Sequence, residues 1–139
     1  MTEAPAPVAQ GLLDTSVIIA IEQLPAGSLP LEPAIAAVTL AELAAGPHAT
    51  DDPEERARRQ DRLQRIEALL DPLPFDAAAA RAYGRVYAAT RARERKPRGA
   101  RAVDLLTAAT ALANELPLFT RNPDDFDHLA AIGLQIHPM

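Results

Sequence analysis

Apolar residues fall in two rhythms along the chain, short unbroken runs and longer stretches with helical spacing. Leu12-Leu13-Asp14 reads as a short buried strand, and a helix follows from about Ser16 to Gln23. Pro and Gly at 25, 27, 30 and 33 mark a connection. Ile35 to Val38 is a second apolar run. Thr39 then opens a helix that ends near Gly46-Pro47. Asp52-Pro53-Glu54-Glu55 is a helix start, with an N-cap acid, Pro at the first helical position and acids in the first turn. That helix runs to about Leu70, with Leu63, Ile66, Leu69 and Leu70 on one face. Leu73-Pro74-Phe75 predicts a short third strand, and a helix follows from about Asp76 to Arg95. Lys96-Pro97-Arg98-Gly99 breaks it. Another helix covers roughly Ala102 to Asn114. Leu118-Phe119-Thr120 and Leu134-Gln135-Ile136 are the last two strands.

Strands alternating with helices predict an α/β fold, a mainly parallel sheet covered on both faces. The Ala/Pro-rich residues 1–10 read as a flexible extension, and residues 11–139 as a single domain without internal repeats. At 139 residues such a domain buries about two-thirds of its unfolded surface. No Cys is present, which excludes a disulfide framework, a zinc thiolate site and a thiol nucleophile. MTEAPAPVAQ carries no Lys or Arg and no apolar core, so it is not a secretory signal. No apolar run approaches the ~20 residues that span a bilayer. The expectation is a soluble cytoplasmic protein without membrane partners. The net charge of −5 argues mildly against bulk nucleic-acid binding, but the distribution is uneven: all 14 basic residues lie between Arg56 and Arg121.

Asp14 stands in the middle of a segment that is otherwise built to be buried, GLLDTSVIIA. A buried carboxylate is costly unless it is matched. In an open parallel sheet, ligands bind outside the carboxyl ends of the strands, where Asp14 terminates the first one. Glu42 follows the second strand by one helical turn and reaches the same edge. The helix holding Asp104 leads directly into strand 118–120, so its N-terminal end also lies there. Strand 118–120 then runs up to Arg121-Asn122-Pro123-Asp124-Asp125. Each acid also has an ordinary reading. Asp14 can cap the next helix, Thr39-x-x-Glu42 is a capping box, and Asp104 and Asp124-Asp125 lie in first turns. Convergence of separate segments on one rim favours chemistry, because like charges at close range repel unless a cation sits among them. An oxygen-only donor set suits Mg²⁺ or Mn²⁺.

LLDTSVIIA, TLAELAAG, AVDLLTAATALANELPLFTRNPDDF and the closing LQIH resemble a PIN-domain protein of the VapC toxin group, across residues 11–137. The resemblance implies a three-layer PIN-like fold and a Mg²⁺- or Mn²⁺-dependent endoribonuclease that leaves a 5′-phosphate. It also implies a toxin neutralised by a VapB-type antitoxin, usually as a homodimer. Family roles carry to Asp14, Glu42 and Asp104 as the acidic site. Many members place a carboxylate two residues after the Thr of the fourth strand, where this chain has Asn122. Asp125 lies on the same side of a helical turn as Asn122, whereas Asp124 is offset by roughly 100°. Asp125 is therefore the expected fourth charge, with Asn122 assisting as a metal ligand and Asp124 turned to solvent.

Thr15, Ser16 and Thr120 are expected as supporting hydroxyls, the first two to a metal-bound water or a phosphate oxygen if they do not simply cap a helix. RARERKPRGAR, residues 91–101, holds six basic residues and one acid just before Asp104. Arg95, Lys96, Arg98 and Arg101 are the expected RNA-phosphate contacts. Arg56 to Arg65 reads as an ordinary exposed helix face. Tyr83, Tyr87 and Phe75 suit the core or a dimer face. His48, His128 and His137 show no ligand spacing and are taken as surface residues. A haloacid-dehalogenase phosphatase needs Asp-x-Asp at the first strand, where Ser16 stands in the second position. A receiver domain needs a phosphoacceptor Asp ending its third strand and a late Lys, and the only Lys is Lys96. The serious alternative is a catalytically degenerate PIN-fold binding module acting through its partner.

Overall fold

Adjacent residues of a strand point to opposite faces, and three residue pairs here are apolar on both. Leu12, Ala36 and Leu118 pack into one core with Ala82, Val86, Leu105 and Ala108. Their neighbours Leu13, Ile35 and Phe119 pack into a second core with Val17, Ile18, Leu43 and Ile66. A sheet buried on both faces gives three layers, helix on sheet on helix. The computed structural model describes residues 8–25, 27–93 and 100–139.

The sheet is parallel throughout, in the order β3-β2-β1-β4-β5. β1 (Gln10–Leu13) is central, flanked by β2 (Glu32–Ala36) and β4 (Leu118–Thr120). β3 (Pro72–Leu73) and β5 (Ile136–Pro138) form the edges. α1 (Thr15–Ile19), α2 (Ala37–Ala45) and α3 (Pro53–Leu69) follow the first two strands, and α4 (Ala77–Ala92) and α5 (Ala100–Ala113) form the opposite layer. After β1 the chain moves to β2 and β3 on one side, then returns to β4 and β5 on the other. The crevice at this reversal, above the carboxyl ends of β1 and β4, is where such a sheet binds ligands.

Several expectations are corrected. The helix expected over 16–23 is α1 plus a separate 3₁₀ turn, Ile21–Gln23, because Ala20 leaves helical geometry at φ −99°, ψ 9°. A run of β-branched Ile on both sides of Ala20 supports a continuous helix poorly. Pairing with β1 draws the second strand back to Glu32–Ala36, and α2 begins at once at Ala37. Thr39 is therefore inside the helix and fully buried, and no capping box forms. Leu69 is 76% exposed, off the stripe of Leu63, Ile66 and Leu70 that α3 buries. His128 is buried, and its Nε2 lies 2.9 Å from the Thr90 hydroxyl. That hydroxyl already donates to the Val86 carbonyl, so the imidazole N–H donates to it. His137 is half-buried and stacks on Phe119, centroids 4.3 Å apart and planes 8° from parallel. His48 is exposed as expected.

Asp52 and Asp76 cap α3 and α4, accepting from the Glu54 and Ala79 N–H groups at 3.1 and 3.0 Å. Structured chain starts before residue 11: Val8 packs against the second core, and the Val8 and Ala9 carbonyls accept from Leu31 and Glu32. Residues 1–7 lie outside the described residues. Among the described residues, no helix is long and apolar enough to cross a membrane.

Candidate active site

Asp14 is the first residue beyond β1. Its backbone N–H donates to the Phe119 carbonyl at 2.9 Å, and its carbonyl accepts from Val17 at 3.0 Å. The residue is thereby fixed between the β1–β4 ladder and α1. Its side chain is buried and occupies the N-cap position of α1, but it accepts no helix N–H. Oδ2 accepts instead from the Ser16 hydroxyl at 2.8 Å and the Thr120 hydroxyl at 2.9 Å. Register explains the second bond. Leu13 pairs with Phe119, so the next residues, Asp14 and Thr120, stand side by side. Both hydroxyls are anchored in turn, because Ser16 accepts from the Arg121 N–H at 3.1 Å and Thr120 from the Asn122 N–H at 3.0 Å. A buried carboxylate is thus oriented by neutral donors alone, with no cation paired to it among the described residues.

Glu42 projects from the middle of α2 and is exposed. The Thr15 hydroxyl donates to its Oε1 at 2.6 Å, and the Thr39 hydroxyl lies 3.3 Å from that of Thr15. Thr15 and Ser16 therefore cap nothing; each positions one carboxylate. Asp104 is half-buried in the first turns of α5. Burial pushes its carboxyl up to about 7, assisted by the negative charges of Asp14, Asp125 and Glu42 and opposed by Arg101. Asp104 thus carries the negative charge of three other acidic segments in addition to its own burial.

Asp125 belongs to a 3₁₀ turn, Pro123–Asp125, that follows β4. It is half-exposed, whereas Asp124 and Asn122 are exposed. Phe126 beside it is fully buried and pins the turn to the core. Arg101 Nη2 lies 3.8 Å from Asp125 Oδ1, a long ion pair, and its buried Nη1 has no hydrogen-bond partner. A buried guanidinium N–H with nothing to donate to is costly. Arg95, Lys96 and Arg98 lie outside the described residues. Phe75, just before α4, and Tyr83 and Tyr87 on it form an aromatic string with centroids 6.5 and 6.1 Å apart, and Phe75 and Tyr87 are exposed. Two residues near the rim read from sequence as structural or surface positions only. Thr39 backs Thr15 across 24 positions, a pairing that only the β1–β2 contact creates. Arg62 lies on the α3 face that reads as ordinary surface.

Among the described residues, no group of three or more Asp, Glu or His side chains is placed to hold a metal ion as it stands. The donor chemistry nonetheless fits a hard divalent cation. All donors are oxygens, burial and the neighbouring acids raise the Asp104 carboxyl to about 7, and Mg²⁺ commonly takes only one or two carboxylates and keeps its waters.

A model of the PIN domain matches residues 11–132. Ribonuclease VapC5 of Mycobacterium tuberculosis is 39% identical over 121 residues, covering 85% of this chain and 86% of that protein. The crystal structure of VapBC-5 from Mycobacterium tuberculosis, a member of the VapBC family of toxin–antitoxin systems, superposes with a TM-score of 0.82 at 36% identity. It covers 94% of this chain and 99% of that one. VapBC2 from Rickettsia felis, solved bound to a DNA fragment from its promoter, matches with a TM-score of 0.70 at 24% identity, covering 92% and 96%; that likeness shows the fold alone.

Proposed function

This chain belongs to the PIN-domain family, and on that premise we propose how it acts. It is a ribonuclease toxin of the VapC type, neutralised by a VapB-type antitoxin. It is a cytoplasmic endoribonuclease that uses Mg²⁺ or Mn²⁺ to hydrolyse RNA phosphodiester bonds, leaving a 5′-phosphate. The observation that carries this reading is the Asp14 carboxylate, buried at the end of β1 and held by the Ser16 and Thr120 hydroxyls, with Asp104 lifted to about 7 by burial and by the charges of Asp14, Asp125 and Glu42.

Asp14, Glu42, Asp104 and Asp125 would hold the cation, with Asn122 assisting through its amide oxygen. When bound, the cation supplies charge neutralisation at the scissile phosphate and an activated water. The chain's own part is preorganisation. Ser16 and Thr120 fix Asp14 by one oxygen, and Thr15 fixes Glu42, so neither carboxylate reorients as charge develops. Asp104 carries a proton part of the time near neutrality and releases it when positive charge arrives. Arg101 offers its unpartnered Nη1 to a phosphate oxygen, which satisfies the buried donor and orients the phosphate over the acids. Arg95, Lys96 and Arg98, close to Arg101 in sequence, are further proposed contacts to RNA phosphates. The exposed Phe75 and Tyr87, before and on α4, supply the contact face of a homodimer.

Mapping RNA 5′ ends after controlled expression tests the activity. New 5′-phosphate ends should accumulate with the wild-type protein, vanish with Asp14→Asn, and be suppressed by the antitoxin encoded beside it. Antitoxin binding without any new ends would leave a binding module rather than an enzyme.

A further inference from the structure

A cavity of about 330 Å³ opens beside Thr15 and Glu42, on the α3 side of the carboxylate rim, and Ile19, Gly46, Arg59 and Arg62 help to close it. We propose that this cavity is the subsite for the nucleotide next to the scissile phosphodiester, with Arg62 holding that nucleotide's phosphate. The inference rests on the ribonuclease reading above and adds a direction to it, since the strand leaves the rim over α3.

Charge pairing in the cavity isolates one group. Glu55 accepts from Arg58 at 2.7 Å and from Arg59 at 3.0 Å. Arg59 also donates to the Gly46 carbonyl at 2.9 Å. Glu42 is held by Thr15. Elsewhere on α3, Arg65 pairs with Glu22 and Asp61, and Arg56 donates to the Pro47 and Thr50 carbonyls. Arg62 is half-buried and makes no ion pair or hydrogen bond among the described residues. Its helical neighbours three and four positions away are Arg58, Arg59, Arg65 and Ile66, so no acid on α3 stands at helical spacing from it, and the nearby Glu55 and Asp61 are paired with other arginines. A half-buried, unpaired guanidinium in a cavity calls for an anion from outside, and its planar fork matches phosphate.

Position and size identify which anion. Thr15 and Glu42 belong both to the rim and to the cavity wall, so a backbone leaving the rim on this side enters the cavity directly. At about 330 Å³ the cavity is at the small end of ligand sites, which run roughly 300–1,000 Å³. Ile19, 55% exposed at the mouth, offers an apolar surface for the ribose or base. Arg101 and Arg62 would then grip successive parts of one strand from α5 and α3, with the acids between them.

The test is binding of a short fluorescein-labelled single-stranded RNA by the full chain, followed by fluorescence anisotropy at several salt concentrations. An Asp104→Asn background prevents cleavage. Arg62→Gln should raise Kd about tenfold, the scale of one lost charge-assisted contact. It should also flatten the dependence of log Kd on log salt by about 0.7, the value for one phosphate on a single strand. Arg58→Gln and Arg65→Gln remove the same net charge from the same helix and should leave both quantities near the parent's. Arg62→Lys keeps the charge without the fork and should retain the slope with a smaller loss of affinity, which separates anion binding from any loss of folding. Equal effects at Arg62, Arg58 and Arg65 would overturn the proposal. Arg62 also borders the apolar groove of Ile18, Ile21, Ile66 and Leu69. Unchanged RNA binding with weakened antitoxin binding would therefore assign this arginine to the protein partner and also overturn it. No RNA binding by any of these proteins, with no cleavage by the protein that retains Asp104, would instead remove the ribonuclease reading itself.

Discussion

Replacing Asp104 by Asn should stabilise the metal-free protein, and the size of the gain follows from its surroundings. The folded carboxyl sits at about 7 against an ordinary value of 3.8. In full, that gap corresponds to about 4 kcal/mol of penalty for the ionised form in neutral solution. Asp104 is only half-buried, so water screens part of it, and about 2 kcal/mol is the realistic figure. For a chain of this size that is roughly 5–10 °C in Tm. The sign is fixed by linkage. A carboxyl raised in the folded state favours folding fully below its unfolded value and loses that contribution as pH rises through the folded one. Wild type is therefore most penalised above pH 7, and the gain from Asn should be largest there and fade between pH 7 and 4. Thermal unfolding of both proteins with EDTA, at pH 8, 6 and 4, measures it. Adding Mg²⁺ at pH 8 should close the gap, because a cation relieves the repulsion only where the acids remain. An Asp104→Asn protein that melts at or below wild type at pH 8, or that gains as much at pH 4, would refute the reasoning.

Asp125→Asn should raise the Mg²⁺ or Mn²⁺ concentration needed for half-maximal cleavage severalfold, while Asp124→Asn changes it little, because Asp125 acts on Asp104 and Asp124 points outward; the reverse order in a metal titration moves the fourth ligand. Gly11→Ala should destabilise by about 1–3 kcal/mol, since an added Cβ would stand 2.6 Å from Cδ1 of the buried Phe119 ring, itself stacked on His137; chemical denaturation reads the loss. Tyr87→Glu should convert a dimer to a monomer in size-exclusion chromatography with light scattering, with the Tm nearly unchanged, because the side chain is 36% exposed and charge there disrupts only an intermolecular face.

Much of the site was legible because the sheet imposes simple rules. Asp14 interrupts an apolar run at a strand end, and in a parallel sheet that end is the ligand edge. The same rule places Asp104, whose helix must descend from that edge into β4. Turn geometry and the apolar Phe126 favour Asp125 over Asp124 in the sequence, and Asp125 is the less exposed of the two beside the buried Phe126. Features set by distant partners were not legible. The strand before α2 ends where β1 pairing ends, so the apparent capping box at Thr39 dissolves and its Thr joins the rim instead. His128 is buried against Thr90, 38 positions away, a contact with no local signature. Leu69 is apolar yet misses the stripe that α3 buries, which a count of apolar residues cannot reveal. Arg62 was readable in principle, since no acid lies at helical spacing from it, whereas Arg58, Arg59 and Arg65 each have one. The lift in Asp104 depends on burial and on three other segments, so only the folded chain reveals it.

The central claim is that the carboxylate rim cleaves RNA by holding a divalent cation. Its most direct test is RNA cleavage by purified protein stripped with EDTA and then titrated with Mn²⁺, run beside an Asp14→Asn variant whose unchanged Tm shows it is folded. Cleavage should be absent in EDTA, restored by Mn²⁺ in the wild type, and absent in the variant at any Mn²⁺ concentration. Undiminished cleavage in EDTA, or full activity without the Asp14 carboxylate, would contradict the claim.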